Sequence, residues 1–119
     1  MHPRFILCVC GGRVFSDQEL AFHTLDRIHA KRPITELVHG AAPGADRLAG
    51  QWAKSRNVPT KEFPANWEAH GRGAGPIRNG QMVAYGLDGL VAFPGGRGTD
   101  NMIAQCRDAS VIVMHINSV

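Results

Sequence analysis

Three short segments carry the residue types that can do chemistry: CGGR (10–13), HGAAPGAD (39–46) and FPGGRGT (93–99). Each stands where an apolar run stops and a helical pattern begins. Glycine has no Cβ, so backbone N–H groups at such a corner can close directly on a phosphate. A helix that starts at the same corner adds about half a positive charge. PGGRGT (94–99) therefore reads as an anion cradle, with Thr99 capping the next helix or donating its hydroxyl. It matches neither the Walker GxxxxGK[ST] pattern nor the dinucleotide GxGxxG. The histidines His2, His23, His29, His39 and His115 show no metal-ligand spacing of the HxxxH kind, so no metal is expected.

These corners must be held by elements, and the sequence alternates accordingly. RFILCVC (4–10), ITELVHG (34–40), PTKEF (59–63), LDGLVAF (87–93) and VIVMHI (111–116) read as strands. They are apolar throughout rather than alternating, as expected where helices cover both faces of a sheet. Each gap holds a helical segment. One spans about 17–31, with Ser16 and Glu19 placed as a capping box and Ala21, Leu25 and Ile28 as its stripe. A second spans 44–56, with Ala45, Leu48, Ala49, Trp52 and Ala53 on one face. A third begins with Pro76 at its first position and stops at Gly86. The last carries Met102, Ile103, Cys106 and Ala109 as its stripe. Strands separated by helices predict βαβ crossovers. The expectation is a Rossmann-like, doubly wound α/β sandwich with a mainly parallel five-stranded sheet over residues 1–119. With strand order 3-2-1-4-5, the glycine-rich loops share the carboxyl edge, and those after strands 1 and 4 flank the switch point where ligands bind.

Bulk properties narrow the field. The 119 residues suit one domain, and 44% are hydrophobic, enough for a core. A net charge of +3 suits phosphate-bearing small ligands or weak contact with nucleic acid. Cys8, Cys10 and Cys106 form no CxxC pair, which points to reduced thiols in a cytoplasmic setting. Cys8 and Cys10 should share one buried strand face. No apolar run nears the roughly 20 residues of a membrane helix.

Four ordered motifs carry a resemblance: GGRVF (11–15), GAAPGAD (40–46), NWEAHGRGAGPIRN (66–79) and AFPGGRGT (92–99). Together they resemble the SLOG superfamily of Rossmann-like domains, named for SMF/DprA and the Lonely Guy (LOG) phosphoribohydrolases, and within it the YspA/YpsA-related branch. The resemblance spans essentially the whole chain. It implies a nucleotide or nucleotide-derived ligand (nucleoside phosphate, NAD or ADP-ribose-like), held between the loops after strands 1 and 4. It implies no separate cofactor, and assembly into a homodimer or higher oligomer. Gly95, Gly96, Gly98 and Thr99 would hold a phosphate, and Gly11, Gly12 and Arg13 would face them. Gly40, Asn79 and Arg97 complete the implied binding set. Asp46 either caps the second helix or accepts from a ribose hydroxyl.

Arg78 matches an arginine that LOG enzymes carry ahead of their PGG motif. From the first turn after Pro76 it would point toward a phosphate; the other reading is a solvated surface arginine. His70 and Arg72 would lie on a mobile flap, His70 serving as acid/base or as a surface residue. Trp52 reads as core and Trp67 as a stacking candidate for a base. The LOG pattern PGGxGTxxE ends in a glutamate where this chain has Met102. N-glycosidic cleavage needs a carboxylate near the departing base, so only Asp17, Asp46 or Glu68 would be left to supply one. A sensing or sequestering module is thus expected first, a phosphoribohydrolase second, and single-stranded DNA binding in the DprA manner third.

Overall fold

The computed structural model describes residues 3–117; His2 lies outside them. The chain runs β1 (Ile6–Cys10), α1 (Gln18–Lys31), β2 (Glu36–His39), α2 (Ala45–Ser55), β3 (Thr60–Glu62), α3 (Trp67–His70), a 3-10 turn (Gly71–Gly73), α4 (Ala74–Tyr85), β4 (Gly89–Ala92), α5 (Arg97–Asp108) and β5 (Val113–His115). The sheet order is β3-β2-β1-β4-β5, and every pairing is parallel. This is the Rossmann-like α/β architecture expected from the spacing. The strands are shorter than their apolar runs, because flanking residues leave the hydrogen-bonded ladder.

Two cores lie on opposite faces of the sheet. Strand side chains alternate between them. Leu7, Val9, Leu37, Val91 and Phe93 join Leu25 of α1 and Ala49 and Trp52 of α2 on one face. Cys8, Cys10, Val38, Leu90 and Ala92 join Met82 of α4 and Met102, Ile103 and Cys106 of α5 on the other. All three cysteines are free and buried. Burial pushes the Cys106 thiol up to about 11 and raises those of Cys8 and Cys10 well above the ordinary thiol value. No helix among the described residues is long and apolar enough to cross a membrane.

Several helix ends differ from the sequence reading. Asp17, not Ser16, caps α1: its Oδ1 accepts from the Leu20 N–H at 3.0 Å. Both types suit the position, and only the entry direction of the chain selects between them. Helix α4 begins at Ala74, so Pro76 is its third residue. Pro lacks only an N–H that the first turn leaves unbonded, so it fits here as well as at the first position. Thr99 is no cap either. It is the third residue of α5, behind the cap residue Gly96. Ala109 is the exposed cap at the other end of α5 rather than part of its stripe. Gly86 does end α4, at φ +104.

Candidate functional site

The carboxyl edge of the sheet opens into a cleft of about 700 Å³ at the β1/β4 switch point. Gly11, Gly12 and Arg13 form one wall. Gly95, Gly96, Arg97, Gly98 and Thr99 form the facing wall, and Asp46, Arg78 and Asn79 close the side. The structure thus brings eleven of the twelve expected residues together. Gly40 does not line the cleft. The Arg78 guanidinium covers it, where a Cβ would collide with the guanidinium carbon at 2.6 Å.

The two walls are stitched together by backbone. The Gly12 N–H donates to the Pro94 carbonyl at 2.8 Å, and the Gly12 carbonyl accepts from Phe15 and Ala45. Phe15 stacks on Phe93 with ring centroids 5.0 Å apart, which pins the β1–α1 loop to the end of β4. This closeness explains two glycines. Gly44 has φ +80, and a Cβ there would collide with Arg13 backbone. A Cβ on Gly95 would fall 2.7 Å from the Gly12 nitrogen and against the Thr99 side chain. Gly96 and Gly98 differ, since a Cβ on either meets nothing within 4 Å.

Three helices start at or beside this cleft: α2 behind Gly44, α4 behind Gly73 and α5 behind Gly96. No side chain caps any of them. Their first turns present N–H groups and positive dipole ends to the carboxyl edge. Arg13, Arg78 and Arg97 line the cleft against a single carboxylate, Asp46.

Asp46 does not cap α2, and it lines the cleft. It is the second residue of α2 and is 6% exposed. Its Oδ2 accepts from the Gly40 N–H at 3.1 Å and the Ala42 N–H at 3.2 Å. Burial raises its pKa, against the opposing pull of those amides and of Arg78 and His39. Its work is to hold the β2–α2 loop, in which Ala41 has φ +58. Arg78 holds the same loop from outside: its Nη1 donates to the Gly40 carbonyl and, at 3.5 Å, to that of Phe63. Its Nε donates to Asn79 Oδ1 at 3.0 Å. Arg78 Nη2 donates to no group among the described residues. The residue lines the cleft with a spare donor, and most of its guanidinium is structural.

Asn79, 3% exposed, ties α4 to the cradle. Its Nδ2 donates to the Gly98 carbonyl at 3.2 Å and to Asn101 Oδ1 at 3.1 Å. Gln105 joins the same oxygen at 2.8 Å. Asn101 and Gln105 were not among the residues expected from the sequence; their i, i+4 spacing on α5 was the available signal. Phe15 and Ala42 also line the cleft without having been anticipated.

The segment around α3 contributes less than expected. Trp67 lines the cleft mouth, 48% exposed, with the Arg13 guanidinium 5.4 Å from its ring centroid. His70 and Arg72 are exposed and do not line the cleft. Neither do Asp17 and Glu68. Met102 is 1% exposed and faces the α4–α5 core. Trp52 is core, as expected, and its indole N–H donates to Asp26 at 2.8 Å.

With this geometry in view, the comparisons with known proteins are specific. The family model described as the YspA, cpYpsA-related SLOG family matches residues 5–70. The chain belongs to this family. The match runs from the start of the sheet through the β1–α1 and β2–α2 loops to α3. This SLOG chain is also similar to the Gene 61 protein of Mycobacterium phage D29, with 36% identity over 115 residues, 90% of this chain and 92% of that protein. The likeness to the phage protein therefore extends through the Gly95–Thr99 cradle.

Proposed function

We propose that this SLOG protein binds a phosphorylated nucleotide-derived ligand (a nucleoside phosphate, NAD or an ADP-ribose-like molecule) and acts as a sensor or sequestering module. One observation carries the reading: three arginines and three uncapped helix N-termini converge on a cleft with one carboxylate. That field favours a phosphate. The amides of the Gly95–Thr99 turn are the best candidates to receive it, with Arg78 Nη2 as a charged donor. Trp67 supports a base stacked at the mouth, where the ring is half exposed. Free, buried thiols suit the reducing cytoplasm, where we expect the protein to act. Assembly into a homodimer or higher oligomer is part of the same proposal, in keeping with the exposed Ile112 and Met114 at the β5 edge.

The phosphoribohydrolase reading is disfavoured by a second observation. The one carboxylate at the cleft, Asp46, spends an oxygen on two backbone amides, and the residue at the LOG glutamate position is buried in the core. Nor is there a row of stacking aromatics for a single-stranded nucleic acid, since Trp67 is the one exposed ring at the cleft. Native mass spectrometry of freshly purified protein tests the reading, followed by calorimetry with the recovered nucleotide. A retained nucleotide is expected, released unchanged. Free base accumulating from added nucleoside monophosphate would overturn the sensor assignment.

A further inference from the structure

A second cleft, of about 650 Å³, opens between α2 and β3 and shares Ala42 with the first. On its α2 wall stand Arg47, Gln51 and Lys54. The spacing i, i+4, i+7 puts them on one helix face. Neither cation is in an ion pair among the described residues. Opposite, Thr60 and Glu62 are two apart on β3 and so share a strand face, and Glu62 is the register partner of His39.

His39 is the decisive residue. Its side chain is 5% exposed. Its Nδ1 accepts from the Ala41 N–H at 3.0 Å, so the neutral ring carries its proton on Nε2. That nitrogen lies 3.5 Å from Glu62 Oε2, too far for a good hydrogen bond. It also faces Gly50, where a Cβ would come within 3.1 Å of it. Glycine in the middle of a helix costs stability, and here it keeps the space in front of Nε2 open. The His39–Glu62 pair thus borders a cleft whose α2 wall carries two cations without an ion-pair partner among the described residues.

We propose that the α2–β3 cleft is a second ligand site, built for a sugar phosphate. Arg47 and Lys54 take the phosphate. His39 Nε2, the Glu62 carboxylate and the Thr60 hydroxyl take sugar hydroxyls, while Val58 and Pro59 offer an apolar wall to the ring. Glu62 repels a ligand that is anionic along its whole length, which selects for a hydroxylated end. Taken as a separate molecule, the sugar phosphate is independent of what fills the first cleft; taken as part of an elongated ligand, it rests on the nucleotide reading. Because Ala42 borders both clefts, the sugar phosphate is either a separate molecule or the far end of an elongated ligand that starts in the cradle.

The test is a nuclear magnetic resonance titration of the full chain with ribose 5-phosphate, alone and with saturating adenosine monophosphate. Saturable shifts are expected at the Gly50 and Thr60 amides and the His39 ring. Reversing both α2 cations (Arg47→Glu with Lys54→Glu) should weaken the response by about ten-fold or more, as for loss of one charged hydrogen bond. Gly50→Leu, which fills the space before Nε2, should weaken it as well. Shifts that persist under adenosine monophosphate support a separate molecule. Competition between the two probes at 1:1 stoichiometry supports one elongated ligand. No response at His39, or a response unchanged in both variants, overturns the site. Failure of the nucleotide proposal shows separately, as absence of nucleotide-induced shifts at Gly12 and Gly96.

Discussion

Asp46 decides how the β2–α2 loop is held, and its two hydrogen bonds land on one oxygen, Oδ2. An amide oxygen in that place can accept both. Asp46→Asn is therefore expected to fold as well as the parent, whereas Asp46→Ala orphans two N–H groups at about 1–3 kcal/mol each. Urea melts of the two variants measure the difference. The glycines of the cradle separate in the same way. Gly95→Val strikes Gly12 and Thr99 and should unfold the loop. Gly96→Val meets open space at φ −111 and should leave the melting temperature unchanged while abolishing nucleotide binding by calorimetry. Unaltered binding in Gly96→Val would remove the cradle from the binding site. Met102→Glu restores the LOG residue type, but it places a carboxylate in the α4–α5 core at a cost of several kcal/mol. The expected result is a destabilised protein with no base release in a chromatographic assay.

Helices here are joined by a few polar ties through otherwise apolar contacts. Between α1 and α2, Asp26 accepts from the buried Trp52 indole and, at 2.9 and 2.8 Å, from Arg56. Arg56 holds the Asp26 carboxyl below its usual range, with the indole assisting. Asp26→Ala leaves the indole N–H buried and unbonded, a loss of about 1–3 kcal/mol, read as a lower urea midpoint. Between α4 and α5, Asn79 does the equivalent work beside the site. Its backbone partner Gly98 lies 19 residues away, so no local pattern could reveal the tie. The stripes of α1, α2 and α5 were legible because burial repeats with the helical period.

Across the whole molecule, proton linkage and assembly give two readouts. Burial raises the Asp46 pKa, so the folded chain holds a proton there at pH values where the unfolded chain has lost it. This contribution to stability is complete below the ordinary carboxylate range and is lost as pH rises through the raised folded value. Asp26 acts in the opposite sense, favouring the fold above the ordinary range and losing that effect as pH falls. Asp46→Asn should remove the first slope and leave the second, in melts from pH 3 to 8. Light scattering at micromolar concentration should give a dimer or larger mass. The β3 edge bears Lys61 and Glu62, whereas the β5 edge exposes Met114 next to Ile112. Charge blunts an edge against pairing, and apolar residues do not. Met114→Lys should therefore lower the mass if β5 is the contact, and a monomeric parent protein ends the oligomer proposal.

The sequence alone determined the order of elements and the parallel sheet, because apolar periodicity and glycine punctuation are local and survive without coordinates. Four ordered motifs carried the family, and the 3-2-1-4-5 strand order, assumed from the sequence, was fixed by the fold. The sequence also marked eleven residues that share one cleft: those at the strand ends because loops at the carboxyl ends of parallel strands lie on one edge, and Arg78 and Asn79 of α4 through the motif resemblance. Tertiary structure decided what those residues do. Asp46 and Arg78 were legible as charges at the cleft, yet Asp46 spends both of its hydrogen bonds on the loop at Gly40, and Arg78 reaches the same loop from 38 residues away. Buried donors and acceptors must find partners wherever the fold offers them, and those partners are set by three-dimensional proximity. The same holds for the α2–β3 cleft. His39, Gly50, Lys54 and Glu62 form no motif, and only the β2–β3 register and the face of α2 bring them together.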